Sequence, residues 1–80
     1  MSDHELFHEI AGEDNARVRR EIVARGLKAR IDFRNVHFES HRARLAELGG
    51  SRTPTLWDGE DLHEGGEAVL RALRAMMPPQ

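Results

Sequence analysis

The chain has 80 residues and a net charge of −2 from 12 basic and 14 acidic side chains, with 39% hydrophobic and 32% charged residues. That length makes one small domain with a thin core. Its composition suits a globular rather than a disordered chain, and its near-balanced charge gives no global pull toward nucleic acid or a membrane surface. Cysteine is absent, which excludes disulfides, thiolate metal sites and thiol nucleophiles. No basic region followed by an apolar stretch opens the sequence, and no apolar run reaches the ~20 residues of a spanning helix; a cytoplasmic protein without membrane contact is expected.

In chain order, Glu5 to Ile10 places Leu6, Phe7 and Ile10 among polar residues and predicts a first strand. Gly12, Glu13, Asp14 and Asn15 form a turn, with Asp14 or Asn15 as the cap of a helix over Ala16 to Arg25. Val18, Ile22 and Val23 supply its apolar spacing, and Gly26 its stop. Lys28 to Phe38 alternates, with Ala29, Ile31 and Phe33 opposite Arg30, Asp32 and Arg34, which predicts a second strand. Glu39 or Ser40 opens a second helix with Leu45 and Leu48 inward, ended by Gly49-Gly50.

Thr55-Leu56-Trp57 is a short strand, and Asp58-Gly59 predicts a type I′ hairpin, whose two central positions need positive φ. Glu60 to His63 is the returning strand, around Leu62. Gly65-Gly66 breaks it, and a third helix over Glu67 to Met76 turns Val69, Leu70, Leu73, Met76 and Met77 inward. The order βαβαββα makes an α/β chain. Helix-joined strands are parallel and a tight hairpin is antiparallel, so the compact solution is a mixed four-stranded sheet with helices on both faces. The whole is one domain with its core over 5–76 and a tail over 77–80.

Thr53-Pro54-Thr55-Leu56, then Asp58-Gly59, then Gly65-Gly66 opening the last helix follow in an order and spacing that resembles the glutaredoxin branch of the thioredoxin superfamily, and the similar N-terminal domain of glutathione transferases. The resemblance runs from Glu5 to Met76 and implies a thioredoxin-like fold with a cis Pro54 facing the active-site loop. It also implies a Cys-x-x-Cys motif at the start of the first helix. Aligned on Val18, that motif falls on Gly12, Glu13, Asp14 and Asn15, with Gly12 at the nucleophile position and Asn15 at the resolving one. Neither residue exchanges disulfides, and no Ser, Cys or Tyr lies between Leu6 and Arg25 to act as a transferase residue.

For glutathione, the resemblance implies backbone pairing at Thr53 and capture of the γ-glutamyl carboxylate by the amides of Gly65, Gly66 and Glu67. Ala68 stands where the family holds the ligand's amino group with Asp, unless Glu67 replaces it.

Other constellations read more plainly. His4, His8, His37, His41 and His63 are expected to be exposed or half-buried polar residues rather than metal ligands. Arg17, Arg19, Arg20, Arg25, Arg30 and Arg34 interleave with acidic residues as a solvated face, without aromatics for nucleic-acid stacking. Trp57 is expected in or beside the core.

The favoured reading is a non-enzymatic binding module without thiol chemistry. Its groove lies between Gly12, Asp14 and Asn15, Thr53-Pro54, and Gly65, Gly66 and Glu67, and holds a protein or peptide partner by strand addition. The alternatives are a glutathione-binding protein or glutathione-dependent transferase-like enzyme, and a homodimeric structural protein.

Overall fold

A computed structural model describes residues 3–76; the expected tail and Met77 lie outside them. The elements are β1 (His4–His8), α1 (Glu13–Ala24), a 3-10 turn (Lys28–Arg30), β2 (Ile31–Asn35), α2 (Glu39–Glu47), β3 (Thr55–Trp57), β4 (Leu62–Glu64) and α3 (Gly66–Ala75). They form a mixed four-stranded sheet of order β2-β1-β3-β4. β1 runs parallel to β2 and antiparallel to β3, which pairs antiparallel with β4.

Alternation along β1 sorts the two faces of the sheet. Leu6 pairs in register with Phe33 and Leu56. With Ile31, it joins Val18 and Ile22 of α1 and Val69, Leu70 and Leu73 of α3 in one buried cluster. The apolar stripe of α3 is therefore its packing face, as its 3.6-residue spacing requires.

Glu5 and Phe7 point the other way, toward α2. Phe7 is fully buried, and Glu5 is only 8% exposed. Arg44 of α2 donates to Glu5 Oε2 at 3.0 Å, and Arg34 Nε lies 3.3 Å from Oε1 without hydrogen-bonding geometry. The hydrogen bond from Arg44, aided by both guanidinium charges, outweighs burial and holds the Glu5 carboxyl below its ordinary range.

Several boundaries differ from the sequence expectation. β1 stops at His8, so Ile10 leaves the sheet and stands 80% exposed. The helix cap is Gly12 rather than Asp14 or Asn15, and no side chain caps the helix. Val23 faces solvent.

The alternating run over Lys28 to Phe38 is strand only between Ile31 and Asn35. Fully buried Leu27 accepts the Arg30 amide and winds Lys28–Arg30 into a turn. Asn35 O accepts the Phe38 amide and bends the chain away at the other end.

The β3–β4 connection is not a type I′ turn. Gly59 alone has positive φ there, and Asp58 to Asp61 form a four-residue loop. Asp58 Oδ1 accepts the amides of Glu60 and Asp61 at 2.9 and 2.6 Å, and Oδ2 lies 2.8 Å from His63 Nε2. These contacts, the Asp61 amide foremost and His63 next, bring the Asp58 carboxyl down to about 2 from its ordinary 3.8.

A carboxyl depressed in the folded state stabilises it above the ordinary value and loses that contribution as pH falls toward 2. Asp58→Ala is therefore expected to cost about 1–2 kcal/mol near neutral pH. Urea unfolding at pH 6 and pH 2 checks this: the gap between wild type and variant shrinks at the lower pH, and an equal gap at both contradicts it.

Candidate functional site

The residues singled out in the sequence converge at one end of the sheet. Gly12 opens α1 at φ 100° and ψ 131°, a region open to glycine and rarely adopted by any residue with a Cβ. One helical turn on, Asn15 is 5% exposed and folds back across the loop from β1. Its Oδ1 accepts the Glu9 amide at 3.0 Å, and its Nδ2 donates to Ala11 O at 3.3 Å and Thr53 Oγ1 at 3.5 Å. Asn15 thus joins the segment before α1 to the segment before β3.

The Thr53–Pro54 peptide is cis, as the resemblance implied. Pro54 O accepts the Gly65 amide at 2.8 Å, which sets the last loop against it. Thr55 Oγ1 donates to Arg52 O at 2.6 Å and fixes the approach to the proline. The Thr53 hydroxyl donates to Glu9 Oε2. The Thr53 backbone N–H and C=O, on a half-buried residue, have no hydrogen-bond partner among the described residues.

Gly65 caps α3 at φ 94°, without a side-chain cap. Gly66 is buried, and a Cβ placed on it would come within 2.9 Å of Asp14 Cγ and 3.0 Å of Asp14 Oδ2. The Asp14 carboxylate of α1 therefore lies over the first turn of α3, where the helix dipole favours negative charge. Glu67 meets Arg17 of α1 at 3.6 Å across exposed surface. All eight residues named from the sequence are within this arrangement: Gly12, Asp14 and Asn15 at the start of α1, Thr53 and Pro54 before β3, and Gly65, Gly66 and Glu67 at the start of α3.

Sequence reading missed Glu9 and Arg19. Glu9 receives the Thr53 hydroxyl. Arg19 Nη1 donates to Glu9 O and His8 Nδ1, and Nη2 donates to Ile10 O. A guanidinium only donates, so His8 Nδ1 is the acceptor. Burial, followed by the facing charges of Arg19 and His41, holds the His8 imidazole below its ordinary value. No local signal marks these contacts, because Glu9 and Thr53 are 44 residues apart.

The other candidates resolve into structural roles. Arg20 pairs with Glu13 and Arg25 with Glu21. His37 precedes α2 while His41 lies within it. Among the described residues, no three His, Asp or Glu side chains gather as a metal site, and no helix is long and apolar enough to cross a membrane.

Comparison with known proteins found no match to this chain among family models, characterised proteins or solved structures.

Proposed function

We propose that this chain is a non-enzymatic binding module on a glutaredoxin-like scaffold, and that it holds an extended peptide along Thr53. One observation carries the reading. Thr53 presents a backbone N–H and C=O without partners among the described residues, on a half-buried segment fixed from both sides by Asn15 and by the Pro54–Gly65 bond. Backbone polar groups call for partners, and an extended peptide supplies a matching donor and acceptor by strand addition. The thioredoxin-like kinship rests on strand order, the Thr-Pro segment and the Gly-Gly turn together.

Asp14 favours a peptide over glutathione. In a glutaredoxin-like arrangement the first amides of α3 receive the γ-glutamyl carboxylate, and here the Asp14 carboxylate lies against Gly66 in the first turn of that helix. A second carboxylate would be repelled by Asp14 and by Glu13 of the same helix turn. Without a sulfur nucleophile, the start of α1 can hold a ligand but cannot exchange a disulfide.

Amide chemical shifts of labelled protein, titrated with a pool of acetylated, amidated octapeptides and separately with glutathione, test this reading. Peptide is expected to move Gly12, Thr53 and Gly66, and millimolar glutathione to move none of them. A glutathione response at Gly65 to Glu67, or peptide shifts confined to other surfaces, would overturn it.

A further inference from the structure

A second depression of about 530 Å³ adjoins the Thr53 segment, and Glu9 belongs to both. Its apolar lining includes Ile10, Ala11, Val36 and Phe38. Ile10 is 80% and Phe38 58% exposed, so two of the three large hydrophobics exposed among the described residues line this one groove. Large exposed apolar groups gathered in a concave surface mark an interaction site better than scattered ones.

The backbone that carries Ile10 and the ring of Phe38 are both held in place. Arg19 binds the carbonyls of Glu9 and Ile10 and fixes the loop that turns Ile10 outward. The Phe38 ring meets the His37 and His41 rings edge-on, with centroids 6.0 and 5.8 Å away. Such preorganisation reduces the ordering cost of binding.

Charge decides what the groove accepts. Arg42 Nη1 donates to Val36 O and His37 O at 3.1 and 3.4 Å, which pins the guanidinium at the rim. Its other nitrogens have no partner among the described residues. The lining's one carboxylate, Glu9, is engaged by the Thr53 hydroxyl. An apolar floor beside a fixed cation complements a bulky apolar side chain beside a carboxylate.

We infer that this groove reads the partner, taking an extended peptide in which a large apolar residue lies within two positions of Asp or Glu. This rests on the peptide-binding reading of Thr53 and names the chemistry of that peptide.

A bead library of acetylated, amidated octapeptides, panned with the full chain, tests the inference with no terminal carboxylate present. The wild-type protein enriches apolar-acidic pairs. Ile10→Ala and Phe38→Ala, at exposed positions, lose at least tenfold of that enrichment. Arg42→Gln keeps the apolar preference and loses the acidic one, and Arg42→Glu turns the acidic preference toward Lys and Arg. Enrichment without acidic residues, or an acidic preference unchanged in Arg42→Glu, overturns the inference.

Shift mapping with an enriched peptide separates the two readings. Movement at Thr53 and Gly66 without Ile10 and Phe38 defeats the groove and leaves the Thr53 reading standing. Movement at Ile10 and Phe38 without Thr53 does the reverse, and a library with nothing retained defeats both.

Discussion

Asn15→Ala is expected to lower stability by about 2–3 kcal/mol and to weaken peptide binding at Thr53 about tenfold, the equivalent of roughly 1.4 kcal/mol. The residue is almost fully buried and its amide group serves three partners in two loops. Truncation removes three hydrogen bonds, each worth roughly 0.5–1.5 kcal/mol, and leaves the Glu9 N–H and Ala11 O, on exposed residues, to pair with water instead. It also cuts the tie to Thr53 Oγ1, so the Thr53 segment is held by Glu9, the Thr55–Arg52 bond and the Pro54–Gly65 contact.

Asn15→Asp separates the two roles of the amide. It keeps an acceptor for the Glu9 amide, loses the donor to Ala11 O, and places a carboxylate near Glu9, which is bonded to the same Thr53 hydroxyl. Its loss in urea unfolding is expected to match or exceed that of the alanine variant. A fully stable Asn15→Ala protein would show that the loops are held by something else.

Gly12→Cys is expected to cost about 1–3 kcal/mol and to restore no disulfide chemistry, even when combined with Asn15→Cys. In the proposed alignment Gly12 stands at the nucleophile position, but its backbone has left the conformation a cysteine needs. At φ 100° and ψ 131° a Cβ is strained whatever the space around it, and that Cβ would come within 3.1 Å of Asn15 Nδ2. Any thiol there would lie beside Glu13 and Asp14 of the first helical turn, whose negative charge disfavours the thiolate. Gly12→Ala is expected to show the same stability loss, since the cause is the backbone and not the sulfur. Urea unfolding of both variants, and reduction of a small disulfide by the double-cysteine protein, check this; undiminished stability together with turnover would contradict it.

Legibility from sequence followed the range of the interactions. The stripe Val69, Leu70 and Leu73 and the Gly65-Gly66 break specify α3 through local spacing, and the helix forms one residue from where that spacing puts it. Leu6 and Leu56 are strand residues with clear alternation, and both are fully buried. The alternation of Lys28 to Arg30 misleads because burial of Leu27 winds those residues into a turn, and tertiary packing overrides a period-two pattern.

Capping failed for a related reason. Asn15 is a good cap by type, yet its side chain has partners in two other loops, and Gly12 takes the cap position with no side chain. The eight candidate residues were legible only as a set carried by the resemblance. Glu9, Arg19 and the Asp14 contact with Gly66 were not legible, since each depends on segments brought together by the sheet.

Amide hydrogen exchange at Thr53, measured in the free protein and again with saturating enriched octapeptide, decides whether the Thr53 backbone is an open edge that a peptide covers. The amide is expected to exchange rapidly in the free protein, as suits an N–H without a partner among the described residues, and at least tenfold more slowly when the peptide is bound. A Thr53 amide already protected in the free protein, or one whose exchange is unaltered by a bound peptide, would contradict it.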